Sequence, residues 1–341
     1  MEQTVRTMRF DKEMTSIVKG FAIIFMLLLH CYGNEAYDKS LDFTYSLCSG
    51  YNFVFKICVG MFVFMVGYGY AFSKKKDFKY SLQHIKKLLI PFWTILFVFT
   101  LPFCYKEVLH TDWSILLYNL VGIDSHFNWY SWFVYFFIYA MIVMPFVARF
   151  INRKPVLNTA IVVCVASVLM VGVHAIPGVL DSSPLHALFN CLIMTIGMTL
   201  GYLFAHERYF ERIKLSRNRR LGTSALCLLV ILVVFVLRYY NKRFPLDFVY
   251  APMMIGAIVV LFNVNDWKPI RTALVKVGEV SVYMWFFHAL FFTPPVRWFY
   301  QPAITIFNDI NLVVLWTIVL TFAVSWLIKT IVDSIQNKFA H

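Results

Sequence analysis

Apolar residues do not alternate with polar ones along this chain; they come in long blocks. Ten blocks of roughly twenty residues, near 15–34, 47–72, 86–105, 129–148, 156–176, 185–205, 221–240, 247–264, 278–296 and 311–331, are separated by short polar stretches. An α-helix rises 1.5 Å per residue, so about 20 apolar residues cross the ~30 Å hydrocarbon layer of a bilayer. Length carries this reading rather than period, because a helix with lipid on one side and protein on the other is apolar all round. The pattern predicts an all-α integral membrane protein of about ten transmembrane helices, forming one domain over 1–341 with no separate soluble domain. One more stretch, "TDWSILLYNLVGIDSHFN" (111–128), is apolar but too short to span, and reads as an interfacial or re-entrant helix.

The polar stretches set the orientation. With the leader that carries Arg6, Arg9 and Lys12 placed in the cytoplasm, "SKKKDFKYSLQHIKK" (73–87), "RFINRKP" (149–155), "HERYFERIKLSRNRR" (206–220) and "DWKPIRTALVK" (266–276) fall on the same side. The opposite loops, "NEAYDKSLD" (34–42), "YKEVLHTDW" (105–113) and "AIPGVLDSSP" (175–184), are acidic or nearly neutral. This asymmetry predicts an N-in, C-in protein of the cell (inner or plasma) membrane. "RYYNKRFPLD" (238–247) breaks the rule with Arg238, Lys242 and Arg243 on the outer side, either as a tolerated exception or as an anion-binding surface.

Composition agrees: 60% of residues are hydrophobic and 14% charged, where a soluble domain carries about a quarter. The net charge of +13 sits in short loops rather than on a basic stripe with interleaved aromatics, which argues against nucleic acid. The seven cysteines show no CxxC spacing and read as small core residues, with a Cys31–Cys48 bridge as the one alternative. His110, His126, His174 and His186 lack metal-ligand spacing, and no metal is expected.

The first block keeps two ionisable residues, Lys19 and His30, in "IVKGFAIIFMLLLHCYGN" (17–34). Eleven steps of about 100° make three turns plus ~20°, so both project from one face, about 16 Å apart along the axis. Ionisable groups at membrane depth face protein or water, so the pair is expected to line one polar cavity. The plainer reading gives Lys19 a snorkelling role and His30 a place as a satisfied core histidine. Lys56 is the only cation well inside the second block and is a site candidate on the same ground. Trp129, Tyr130 and Trp132 read as an interfacial aromatic belt or as a surface on which a sugar stacks.

The K-x10-H spacing, followed by "GMFVFMVGYGYAF" (60–72), "HIKKLLIPFW" (84–93), "WYSWFVYFFIYAMIVMPFV" (129–147) and "VGEVSVYMWFFHALFF" (277–292), resembles the membrane-bound acyltransferase-3 family. In the last of these, Ser281 and His288 stand seven apart and Trp285 takes the place of the usual tyrosine. The family often has arginine where this chain has Lys19, Lys86 and Lys87, which keeps the charge and loses the bidentate fork.

The resemblance implies an integral-membrane O-acyltransferase that moves an acyl group, most simply acetyl, from acyl-CoA to a hydroxyl of a cell-surface polysaccharide or related glycan, free or lipid-linked. The residues fit that chemistry. Histidine titrates near neutrality and suits a general base, which assigns His30, with Lys19, to catalysis. Coenzyme A is polyanionic, so its entry is expected to be lined by Lys19, Lys86 and Lys87, with Lys74, Lys75 and Lys76 as an outer funnel. Ser281, Trp285, His288, Lys56 and Glu279 are candidates for the acceptor or a second site, although Glu279 also reads as the structural partner of a lysine. The competing function is a polytopic transporter or flippase for a glycan or small anion. It would also bury ionisable residues, but no internal repeat with matching broken helices supports it.

Overall fold

The computed structural model describes residues 5–33, 50–73, 77–176, 178, 183–216, 220–242 and 246–339. Among these, ten helices are long and apolar enough to cross a membrane. Their α-helical parts are α1 (Lys12–Gly33), α2 (Ile57–Ala71), α3 (Phe78–Thr94), α4 (Trp132–Ile151), α5 (Pro155–His174), α6 (Ser183–His206), α7 (Arg220–Tyr240), α8 (Asp247–Val264), α9 (Lys268–His288) and α10 (Ile310–Phe339), the second span starting at Asn52 and the third running on to Phe103 through tighter and wider helical turns. A two-stranded antiparallel pair, β1 (Val5–Thr7) with β2 (Lys214–Ser216), is the only sheet among the described residues. The molecule is an all-α multi-pass membrane protein, and the even number of spans brings Lys12 and Phe339 to one face.

Glycines set how closely the inner helices approach. A Cβ on Gly278 of α9 would lie 1.9 Å from the Ser16 carbonyl oxygen of α1, and one on Gly20 would lie 2.6 Å from the Leu274 oxygen. α2 and α6 cross in the same way. There a Cβ on Gly67 would meet the Met198 oxygen and one on Gly201 would lie 2.0 Å from the Phe64 oxygen. Lipid supplies no hydrophobic drive between helices, so close van der Waals approach at small residues holds them together. α5 and α7 stay at the rim, where most of their side chains face outward.

The α1/α9 crossing fixes the height of the site. Its centre lies midway between Ser16 and Gly20 on one helix and between Leu274 and Gly278 on the other. Both helices run in the same direction, and His30 and His288 each lie twelve residues beyond that centre. At 1.5 Å per residue the two histidines reach the same level, about 18 Å up.

Several boundaries differ from the expected ones. "DWKPIRTALVK" is not a loop: α9 begins at Lys268, with Pro269 in its first turn, where its missing N–H is harmless. α3 begins at Phe78 rather than near 86, because the Asp77 side chain caps it by accepting from the Tyr80 amide at 2.8 Å. Lys86 and Lys87 therefore sit on a helix, exposed, with no carboxylate partner among the described residues. The 111–128 stretch holds one short helix, Trp113–Leu120, followed by irregular chain.

Arg238 is fully buried and pairs with Asp247 at 2.5 Å, Nε to Oδ1, which ties α7 to α8. Its charge is compensated inside the protein, so it forms no anion-binding surface. Lys242 lies 5.0 Å from the centre of the Phe53 ring. Arg243, the Lys74–Lys76 run and Cys48 lie outside the described residues.

Candidate active site

The loop before α4 is stitched onto the end of α9. The Trp285 indole donates to the Tyr130 carbonyl at 2.8 Å, and the Asn128 amide donates to the Phe286 carbonyl at 3.2 Å. The Trp129 amide donates to the Thr293 hydroxyl at 3.2 Å, and the Ser131 hydroxyl donates to the Asn128 carbonyl at 2.8 Å. Gly122, at φ +73°, turns the chain into this loop; a Cβ there would lie 2.5 Å from the Ser131 oxygen.

These bonds set the Tyr130 ring beside the two histidines. Its centroid lies 3.6 Å from that of His30 in a near-parallel stack and 5.3 Å from that of His288. The two imidazoles are themselves 5.3 Å apart. Burial pushes the Tyr130 phenol well above its ordinary range, so it stays protonated and offers a hydroxyl rather than an anion.

His288 is fully buried, and its Nδ1 lies 3.0 Å from the Met284 carbonyl oxygen. A carbonyl only accepts, so the proton is on Nδ1, and Nε2 keeps a lone pair with no hydrogen-bond partner among the described residues. His30 is half-buried and presents its ring to an open space.

That space is a cavity of about 580 Å³ at the C-terminal end of α1. Aromatic rings form much of its wall, from Trp129, Tyr130, Trp132, Tyr135 and Trp285. Its polar side chains include His30, Lys56, Asp124, His186 and Asn190. Volumes of this order suit small ligands, and apolar walls with a few placed polar groups are the usual form of such sites. A second cavity of about 640 Å³ lies at the opposite face, where Arg9 and Lys12 are accompanied by Asp11 and Glu211.

The structure sorts the candidates read from the sequence. It brings His30, His288, Trp285 and Lys56 together. Lys19 lines neither cavity, so the cation that shares a cavity with His30 is Lys56. Lys19 lies at the level of the α1/α9 crossing, about 16 Å from His30 along the helix, so sharing a face does not bring it into the same cavity. Ser281 is buried and turned back, donating to the Gly278 carbonyl at 2.8 Å, so it closes the helix crossing instead of facing the cavity. Glu279 is exposed and has no ion pair among the described residues. Next to the buried Gly278, it projects about 100° away from α1, and no lysine among the described residues pairs with it.

Asn128, Gly122 and the Arg238–Asp247 pair escaped the sequence reading. The glycine and the N-W-Y-S run were the available signals, but neither carries a period.

The chain matches no curated protein and no solved structure. The profile of the acyltransferase domain of the acyltransferase-3 type matches residues 16–330, which takes in most of α1 and of α10 and leaves out only the two ends. Ten packed spans, with His30 of the first on the cavity wall and the buried His288 of the ninth 5.3 Å from it, are thus accompanied by a match over nearly the whole length: the chain is a multi-pass membrane protein belonging to the acyltransferase-3 family.

Proposed function

We propose that the protein is an acyl-CoA-dependent O-acyltransferase of the cell membrane, which transfers an acetyl group to a hydroxyl of a cell-surface glycan. The observation that carries this reading is the triangle of His30, His288 and Tyr130, in which His30 and Tyr130 line an aromatic cavity and the buried His288 stands behind them. A sugar hydroxyl is a poor nucleophile at neutral pH and needs a positioned base.

His30 takes the hydroxyl proton as the oxygen attacks the thioester carbonyl. The carbon–sulfur bond then breaks, and coenzyme A leaves as the thiol with the proton returned to sulfur. His288, with its lone pair on Nε2, stands close enough to orient His30 or share its proton. Trp129 and Trp132 offer ring faces to the apolar side of a sugar. The donor enters from the face that carries Lys19, Lys86 and Lys87, and the acceptor, free or lipid-linked, from the other.

The test is release of coenzyme A from labelled acetyl-CoA by purified protein given a glycan acceptor. His30→Ala is expected to lose 10²–10⁴-fold in rate, in line with removal of a general base, while keeping its melting temperature. Unchanged release by that variant would remove His30 from the reaction. Acceptor movement without consumption of acetyl-CoA would indicate a carrier instead.

A further inference from the structure

The short helix Trp113–Leu120 ends in a way that fixes the chain after it. Gly122 takes a left-handed conformation; its amide donates to the Asn119 carbonyl at 3.2 Å, and the Ile123 amide donates to the Tyr118 carbonyl at 3.0 Å. This pair of bonds is a common glycine stop of a helix. The Trp93 indole of α3 donates to the Leu120 carbonyl at 2.9 Å, which ties the stop to a membrane span. Asp124 follows on a backbone that is already set, and its side chain lines the cavity. Its Oδ1 accepts from the Asn119 side-chain amide at 3.2 Å and from the His126 backbone at 2.8 Å. Asn119 is itself buried and accepts from the Phe127 amide at 3.0 Å. The loop thus orients the carboxylate through Oδ1 and makes no use of Oδ2.

Asn190 of α6 and Tyr135 of α4 line the same cavity, and the Asn190 amide nitrogen donates to the Tyr135 hydroxyl at 3.2 Å. That bond commits the nitrogen and leaves the Asn190 side-chain oxygen as an acceptor, while the phenol keeps its own proton to donate. The wall therefore combines a carboxylate oxygen, an amide oxygen and a hydroxyl proton with the rings of Trp129 and Trp132. A pyranose makes the matching demand. Each of its hydroxyls has one proton to give and lone pairs to receive, and its C–H face is apolar. Bonds given to a carboxylate are the strong ones, and a ligand without hydroxyls would leave these groups unpaired.

We infer that Asp124 and Asn190 are acceptor-binding residues. Each takes the proton of a ring hydroxyl other than the one acylated, so the acceptor is a pyranose with at least two further free hydroxyls. The assignment deepens the acceptor reading of this cavity and rests on it. Asp124 and Asn190 are then specificity-determining residues. They fix how the ring lies on Trp129 and Trp132, and so which hydroxyl faces His30.

Binding to detergent-purified full-length protein tests the idea without turnover. Calorimetry would compare the methyl glycosides of glucose, galactose and mannose, each with its monodeoxy analogues, and methyl glucosaminide. At least one parent glycoside is expected to bind and to lose about tenfold in affinity on removal of either of two hydroxyls. Asp124→Asn keeps the Oδ1 that the loop needs and puts a donor in place of Oδ2. It is expected to erase the penalty at one of those hydroxyls and leave the other, and Asn190→Ala to do the reverse. Unchanged acetyl-CoA affinity checks folding; should Asp124→Asn lose it, the wild-type series and Asn190→Ala decide. Absence of binding by all three parents, or deoxy analogues that bind as their parents do, overturns the inference. So do penalties that survive in both variants. A preference for the glucosaminide over every neutral glycoside, lost in Asp124→Asn, would mean that Asp124 reads an ammonium group and would overturn it too. Absence of coenzyme A release would sink the transferase reading and leave this comparison standing.

Discussion

Tyr130 illustrates how single residues of this site are placed by contacts other than their own. Its ring makes the stack, but its backbone is held by Trp285, whose indole N–H is buried in a bond to the Tyr130 carbonyl. Trp285 also packs against Phe133 at 4.6 Å and Phe62 at 4.7 Å, so it is fixed from two further sides. Replacing it with phenylalanine keeps an aromatic body and orphans one carbonyl, a loss of about 1–3 kcal/mol. Trp285→Phe is expected to lower acyl transfer roughly tenfold and to raise KM for the acceptor while leaving acetyl-CoA affinity unchanged. Steady-state kinetics with each substrate varied in turn checks this, and equal damage to both substrates would mean general loosening. The sequence exposed Trp285 and His288 through their spacing from Ser281, because they share one helix. It could not expose the bond to Tyr130, which joins residues 155 apart. For Ser281 the spacing misled: its seven-residue separation from His288 is real, yet its hydroxyl is used by its own helix.

Helix pairs determine where those residues meet. Ten apolar blocks were legible in the chain because lipid imposes a length, and α8 came out at 247–264 with no correction. The start of α9 was not legible. Lys268, Arg271 and Lys276 make its first turns look like a basic loop, although long cationic side chains on a helix end can reach the interface. Which blocks pack together was equally hidden, because backbone contact at a glycine leaves no periodic trace. Such contact has a measurable consequence. Gly278→Ala pushes a methyl group into the Ser16 carbonyl, a backbone atom with nowhere to go, whereas Gly172 in the rim helix α5 has open space around its Cα. Overpacking of this kind costs about 1–3 kcal/mol, while alanine replacing glycine in an open helical position gains a fraction of that. Gly278→Ala should lower the melting temperature in detergent and, because it parts α1 from α9, reduce transfer more than stability. Gly172→Ala should leave both unchanged or slightly improved. If both variants behave alike, the crossing does not set the height of the two histidines.

At the scale of the whole molecule the two faces carry different charge. The cavity with His30 opens where α1 ends, while Lys19, Lys86 and Lys87 lie toward the end where α1 begins, with Arg9 and Lys12 beyond them on the second cavity. On the proposed reaction a polyanionic donor approaches this second face, and its thioester must reach a base about 16 Å further along α1 than Lys19. Exposed lysines without carboxylate partners suit the capture of phosphates. They hold a charge in water, however, and not a buried fork, so their effect is long-range and screened. The sign follows from that. Lys86→Ala combined with Lys87→Ala should weaken acetyl-CoA binding most at about 10 mM salt, where the screening length is about 30 Å. The difference from wild type should close at 1 M, where it is about 3 Å. A double variant that binds acetyl-CoA as wild type does at low salt would take these lysines out of donor capture and leave them as markers of topology. A deficit that persists unchanged at 1 M would instead mean direct, desolvated contact with the donor, which their exposure does not favour.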